Sequence, residues 1–365
     1  VFRPAAYGDT KRMEPVFLDF ETILKIKFKQ IEIEPDNPNF FFEASNSLDT
    51  LSESYSSVGR REEATAAAVK AFELLERAIE LQQAKEQIPD VQTQLAGYFM
   101  QKGYILKKSG KDDEAIVAYS QSAEAADQAY ARDNTQKYGF NHSNRSRRMA
   151  AEIYVSRGDW QKVLELHQHC LNNLLQNKEN KHLFQKHLLS SIALYTLFVG
   201  YAQDRLGNKK EGQENVEKGL NIYLANLKKY ENLAGDIVYA YEGLNIASDY
   251  YVANNQKQKA ADLWQKEYIN RLETISQKTP NDSGMLNLTI DGYTRKGDIL
   301  SGFKMDDNSI SEVKLSFLQE ARQNYEKALH HVQKILSLDE PVLAVQQKSE
   351  DLERRIGLVR GKIGK

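Results

Sequence analysis

Apolar residues recur every three or four positions in segments of about twenty residues, the spacing of one helix face. Short polar turns separate these segments. Leu48, Leu51, Tyr55 and Val58 lead into one turn, and Ala64, Ala68, Ala71 and Leu75 lead out of it. No stretch shows sustained strand-like alternation between turn signals. The turn itself recurs as a Gly, four mostly polar residues and then a small or apolar one. It reads Gly59-Arg-Arg-Glu-Glu-Ala64, Gly110-Lys-Asp-Asp-Glu-Ala115, Gly158-Asp-Trp-Gln-Lys-Val163, Gly207-Asn-Lys-Lys-Glu-Gly212 and Asn255-Gln-Lys-Gln-Lys-Ala260. The turn residues fall 51, 48, 49 and 48 positions apart.

The physical logic of the turn is simple. Gly, or Asn at 255, takes the left-handed conformation that ends a helix. A small residue five positions on lets the next helix pack closely against the one before it. A sixth unit is looser: its first helix is expected near 285–303, with a longer loop over 304–309 in place of the tight turn. A helix over 17–34 precedes the first unit and closes in Glu34-Pro-Asp-Asn-Pro38, where Asn37 caps the next helix and Pro38 opens it. A last helix opens at Asp339-Glu-Pro341 with charges on most faces, as a solvent-facing cap would. The organisation is thus a half-unit over 1–38, six helix pairs over 39–338 and a capping helix over 339–365. The expected fold is all-α, about fourteen antiparallel helices. Residues 132–148, where Tyr138, Gly139 and Phe140 interrupt the helical pattern, read as a long connection between units or, alternatively, as a functional loop with a basic end.

The set Leu48, Leu51, Ser52, Tyr55, Gly59, Ala64, Ala68 and Ala71 resembles the tetratricopeptide repeat (TPR) consensus, as does Gly103, Leu106, Gly110, Ala115 and Tyr119. The join Ile31-Glu-Ile-Glu-Pro-Asp-Asn-Pro38 looks like the link between such repeats. The resemblance covers about 17–338 and implies an α-α superhelix, a TPR-like solenoid. The ordinary repeat is about 34 residues, so these helices should be longer by a turn or more. Long-period arrays of this kind are attached to bacterial signalling proteins. The resemblance therefore implies an accessory, partner-sensing module, or alternatively a scaffold or assembly subunit that oligomerises through its helices.

In such a superhelix the first helix of each pair lines the concave face. Projecting those helices places Asn46, Asp49, Glu53 and Ser56 inward in the first unit and Glu242, Asn245, Asp249, Asp291, Thr294 and Asp298 in the last two. Between these acidic ends stand Met100, Tyr104, Lys107, Lys108, Arg145, Arg148, Glu152, Val155, Leu194, Leu197, Tyr201 and Arg205. A basic and aromatic centre of this kind suits an extended protein or peptide ligand with carboxylates and apolar anchors.

Bulk properties narrow the alternatives. A formal net charge of −2 lacks the basic excess of a general nucleic-acid binder, so no nucleic-acid partner is expected. A single cysteine, Cys170, cannot form an internal disulfide or a multi-cysteine zinc site and suits a reducing, cytoplasmic setting. No apolar run is long enough to span a bilayer. The chain begins at Val1 without a signal-peptide pattern, so a longer parent polypeptide is expected. Phosphate-binding glycine loops and nucleophile elbows are absent from the sequence, so neither catalysis nor a cofactor is expected. His167-Gln-His169-Cys170 is the one cluster with metal-ligand chemistry. His167 and Cys170 share a helix face, but those positions are packing positions in the repeat, so both are expected in the core and no metal is expected.

Overall fold

The computed structural model describes residues 10–180, 185–229, 234–304, 309–310, 313–338 and 343–364. Among these residues the chain is all-α with fourteen helices. They are α1 (Thr10–Ile33), α2 (Pro38–Ser57), α3 (Arg61–Gln83), α4 (Pro89–Lys108), α5 (Asp112–Arg132), α6 (Lys137–Arg157) and α7 (Trp160–Gln176), followed by α8 (Gln185–Arg205), α9 (Lys209–Lys229) and α10 (Ala234–Ala253). Next, α11 runs over Lys257–Trp264, passes through a π-helical stretch, Gln265–Ile269, and continues over Asn270–Lys278. The last three are α12 (Ser283–Ser301), α13 (Leu315–Leu336) and α14 (Leu343–Ile363). Two compact units divide the chain: residues 1–195 with 205–207, and residues 196–204 with 208–365.

All five recurring turns are built alike. Gly59, Gly110, Gly158, Gly207 and Asn255 have φ of 78°, 73°, 71°, 94° and 59°. In each, the N–H one residue past the turn donates to the carbonyl four residues before it. Arg60 donates to Tyr55, Lys111 to Leu106, Asp159 to Tyr154, Asn208 to Gln203 and Gln256 to Tyr251, at 2.7–3.0 Å. This 6→1 bond is the Schellman closure of a helix C-terminus. The left-handed backbone has no Cβ penalty at glycine; Asn255 is the one non-glycine at positive φ among the described residues.

Close packing follows from residue size at two fixed offsets. Five positions past the turn, Ala64, Ala115, Val163, Gly212 and Ala260 are all buried. Seven positions before it stand Ser52, Gly103, Ala151, Gly200 and Ser248, also buried and all small. A Cβ on Gly103 would lie 2.5 Å from the Tyr119 ring, and one on Gly212 would lie 2.7 Å from both the Asp204 nitrogen and the Gly200 oxygen. Small polar residues tie the helices together where they touch. Ser52 Oγ donates to the Ala64 carbonyl, Ser45 Oγ to Ala71 and Ser122 Oγ to Ala96, at 2.6–2.7 Å. Each such bond satisfies a buried hydroxyl that would otherwise cost free energy.

Two expectations need correction. Residues 137–148 are not a connection: they belong to α6, where Phe140 is 2% exposed. Gly139 suits that helix because a Cβ there would lie 3.2 Å from Thr93 Oγ1, 3.4 Å from the Ala126 carbonyl and 3.6 Å from the Ala129 methyl. Helix α14 is also more than a solvated cap. It buries Val345, Leu352, Ile356 and Val359, and with them the Arg355 guanidinium, which pairs with Asp298 of α12. Its expected opening, Asp339-Glu-Pro341, lies outside the described residues. In the sixth pair, Gly302 (φ 63°) ends α12, and Phe303–Lys304 pairs antiparallel with Ser309–Ile310 in place of the tight turn. Residues 305–308 of that loop lie outside the described residues.

Candidate partner-binding surface

Successive first helices meet along charged edges. Lys108 of α4 reaches back to α2, with Nζ 2.8 Å from Asp49 Oδ1 and 2.9 Å from Glu53 Oε1. Tyr104 donates to the same Glu53 at 3.1 Å, Gln101 donates to Asp49 at 3.2 Å, and Lys108 sits 5.2 Å from the Tyr104 ring centre. Lys107 turns the other way, to Glu152 of α6 at 2.9 Å. The same ladder exists in the second unit, where Arg295 of α12 pairs with Asp249 of α10 and Lys348 of α14 pairs with Asp291 of α12 at 3.0 Å. Burial works against the Lys108 charge, but its bonds to Asp49 and Glu53 outweigh that and hold its pKa above the usual lysine value.

Two of the expected cations, Lys107 and Lys108, are therefore neutralised by acids of neighbouring helices. Projection of single helices put the cations on the right face but did not show that acids of the next helix stand within 3 Å. Arg145 is exposed and, among the described residues, has no acidic partner within ion-pair distance. Arg148 is half-buried and lowers the pKa of His167. Met100 packs partly against the Leu106–Tyr119 core. Leu194 is half-buried, and Tyr201 meets Tyr250 edge to face at 6.5 Å. Arg205 lies over the Trp160 ring at 5.0 Å. Leu197 is fully buried and offers nothing to a ligand, because its side chain belongs to the core stripe of α8.

Beside the Lys108 cluster, between the first two helix pairs, lies a cavity of about 770 Å³. Its floor is Phe72 of α3 with Ile105 and Leu106 of α4; Ala68 and Val69 of α3 form one wall. Asp49, Ser52, Glu53 and Ser56 of α2 form the other, and Lys108 and Lys111 stand at the mouth. Val69 is 55% exposed although apolar. Sequence reasoning found the α2 wall and Lys108 but missed the α3 wall. The available signal was Val69 itself, a β-branched apolar residue off the stripe made by Ala64, Ala68, Ala71 and Leu75.

The His167–Cys170 pair packs in the core. His167 is 1% and Cys170 0% exposed, and the His167 ring tilts against Tyr195 at 5.7 Å. The Asn144 carbonyl accepts from Tyr195 Oη at 3.1 Å and from Cys170 Sγ at 3.6 Å. Burial lowers His167 to about 3 and raises the Cys170 thiol to about 12, so at neutral pH both are uncharged. Among the described residues no group of three or more His, Cys, Asp or Glu side chains is placed to hold a metal ion. Nor is any described helix long and apolar enough to cross a membrane.

The recurrent Schellman hairpins and their small-residue crossings define an all-α helical-repeat protein. No protein-family model matches the chain, and no curated protein matches it. Among solved structures it is similar to the apo form of RapI, at 13% identity and a TM-score of 0.42, over 86% of this chain and 98% of that one. It is also similar to the S. pombe nuclear import adaptor Nro1, at 12% identity and a TM-score of 0.42, over 87% and 99%. A tetratricopeptide repeat protein from Parabacteroides merdae aligns at 14% identity and a TM-score of 0.30, over 85% and 98%. These likenesses are distant, and the class rests on the hairpins themselves.

Proposed function

We propose that the chain is a non-catalytic protein-binding module that captures an extended peptide segment by an apolar side chain. The cavity between the first two helix pairs carries this reading. Its volume, about 770 Å³, lies within the range of ligand pockets, and it joins an apolar floor to a few polar groups at the rim. The Lys108–Asp49–Glu53 cluster fixes that rim. Because Lys108 is already paired, the anchor rather than a carboxylate sets the affinity, and the ligand need not be acidic. The near-neutral net charge favours a protein partner over nucleic acid. The resemblance to long-period arrays supports a sensing or regulatory role within a larger signalling protein.

The test is a displayed-peptide library panned on the chain, with affinities measured by calorimetry. Ala68→Trp fills the cavity from a half-buried wall position and should weaken the selected peptides by more than about tenfold, or 1.4 kcal/mol. The melting temperature should stay unchanged. Arg145→Glu should have little effect. Peptides that bind Ala68→Trp as tightly as the original chain would place the site elsewhere.

A further inference from the structure

A second cavity, of about 380 Å³, is lined by α5, α6 and α7. Phe140 of α6 and Ala131 of α5 give it an apolar side; Asp127 of α5 and His169, Asn173 and Gln176 of α7 give it a polar one. The α7 residues are three or four apart, so they share one face of that helix. No unpaired charge stands among them. The Asp127 carboxylate is taken up by Arg147 and Ser143 of α6. Burial and the Arg147 charge hold His169 below the usual histidine value, so it is neutral at pH 7. Hydrogen-bonding capacity is nevertheless left over. Asn177 Nδ2 donates to the Asn173 main-chain carbonyl at 2.9 Å, which can only accept, and this fixes the orientation of the Asn177 amide. The same Nδ2 donates to Asn173 Oδ1 at 3.1 Å, which leaves the Asn173 Nδ2 hydrogens unbonded among the described residues. Gln176 and His169 are exposed and make no hydrogen bond among the described residues.

We infer that this cavity binds a neutral saccharide ring. Its volume lies within the range of small-molecule sites, which join apolar lining to a few placed polar groups. A sugar ring has the matching surface: hydroxyls around its rim and an apolar C–H face. The hydroxyls accept from Asn173 Nδ2 and both accept from and donate to Gln176 and the neutral His169 imidazole. The C–H face lies toward Phe140 and Ala131. An ionic ligand finds no unpaired opposite charge here, and burying its charge without one is costly. A flat base finds no slot, because the Tyr130 and Phe140 rings are tilted 55° with centres 5.0 Å apart, too close to admit one between them. The polar wall is also held in advance. Tyr130 Oη donates to Asn177 Oδ1 at 2.9 Å and accepts from Asn180 Nδ2 at 2.8 Å, so the amide that orients Asn173 is itself fixed. Groups already ordered lose less entropy on binding. This site lies apart from the peptide cavity and does not depend on it.

Saturation-transfer NMR on the whole chain tests it, with glucose, galactose, N-acetylglucosamine and glucuronate as probes. Titration from about 0.1 to about 30 mM brackets the low-millimolar Kd that a ligand of about a dozen heavy atoms supports. At least one neutral sugar should give saturable transfer, and glucuronate should bind no tighter than glucose. Ala131→Trp fills the cavity from an exposed position and should weaken that sugar by more than about tenfold. Thermal melts should report it as stable as the original chain. Gln176→Leu keeps the volume but loses the amide and should weaken the sugar about three- to tenfold, the worth of one hydrogen bond. Ala68→Trp, in the peptide cavity, should leave sugar binding unchanged. No saturable transfer from any neutral sugar, tighter binding of glucuronate, or a sugar that ignores Ala131→Trp would each overturn the proposal. So would saturation by the uncharged peptide acetyl-Asn-Gln-amide in place of the sugars.

Discussion

Gly212→Ala should destabilise the chain, although alanine is the better helix former. The gain is at most about 1 kcal/mol, the propensity difference between glycine and alanine within a helix. The cost comes from the crossing with α8. The added methyl would sit 2.7 Å from the Asp204 nitrogen and 2.7 Å from the Gly200 oxygen. Ordinary non-bonded contact lies near 3.5 Å, so the two helices must part by roughly 0.8 Å. Both obstructing atoms are backbone and cannot rotate aside. Overpacking of this kind costs about 1–3 kcal/mol, and rigid neighbours put it in the upper half of that range. The net expectation is a loss of about 1–2 kcal/mol. Gly357→Ala is the control: that residue is exposed within α14, and nothing lies within 4 Å of a Cβ there. It should gain about 0.5–1 kcal/mol. Urea unfolding followed by circular dichroism would measure both. If Gly212→Ala proves as stable as the original while Gly357→Ala gains, α8 and α9 do not approach as described and the small-residue account of the crossings fails.

Asn255→Ala should lose about 1 kcal/mol and Asn255→Gly none, because φ at 255 is 59° and alanine alone pays the full left-handed cost; thermal melts of the pair decide it. Arg355→Leu should lose about 3 kcal/mol by leaving the buried Asp298 without its ion-pair partner, and Asp298→Asn added to it should recover part of the loss in urea titrations. His167 titrates near 3 in the folded chain and near 6.5 unfolded, so below about pH 6.5 the unfolded chain binds the extra proton and stability falls with pH. By pH 4.5 this should cost about 2–3 kcal/mol, and His167→Gln should show a correspondingly shallower decline between pH 7 and 4.5.

The helices and turns were legible because their signals are local. A glycine at a left-handed position, polar residues behind it and an alanine five on lie within a few residues of one another, and the structure places all five turns accordingly. The small residue seven before each turn was equally legible but is visible only when the units are aligned on the turn. Tyr138-Gly139-Phe140 misled because glycine reads as a breaker until Thr93 and Ala129, from other helices, show why the position must be small. The basic centre misled for a related reason. Lys108 and its acids Asp49 and Glu53 are 55–59 residues apart, and no property of α4 alone announces them. The π-helical stretch in α11 left no mark that periodicity reads, since it shifts the register by one residue only. Val69 marked the cavity, but a lone exposed valine is common on helices and became informative only beside Phe72 and Ile105.

The uniform closure of the five hairpins bears on how the chain acquires its structure. Each closure joins an N–H to a carbonyl five residues away, and the Ser52–Ala64 and Ser122–Ala96 ties reach only 12 and 26 residues. Contacts of such short range make fast folding, with little loop entropy to overcome before they form. Each hairpin can therefore close as it leaves the ribosome, before the next has been made. The charges on its first helix then wait for acids or bases not yet synthesised. Lys108 of α4 closes on Asp49 and Glu53 of α2 in this way, and Arg295 of α12 on Asp249 of α10.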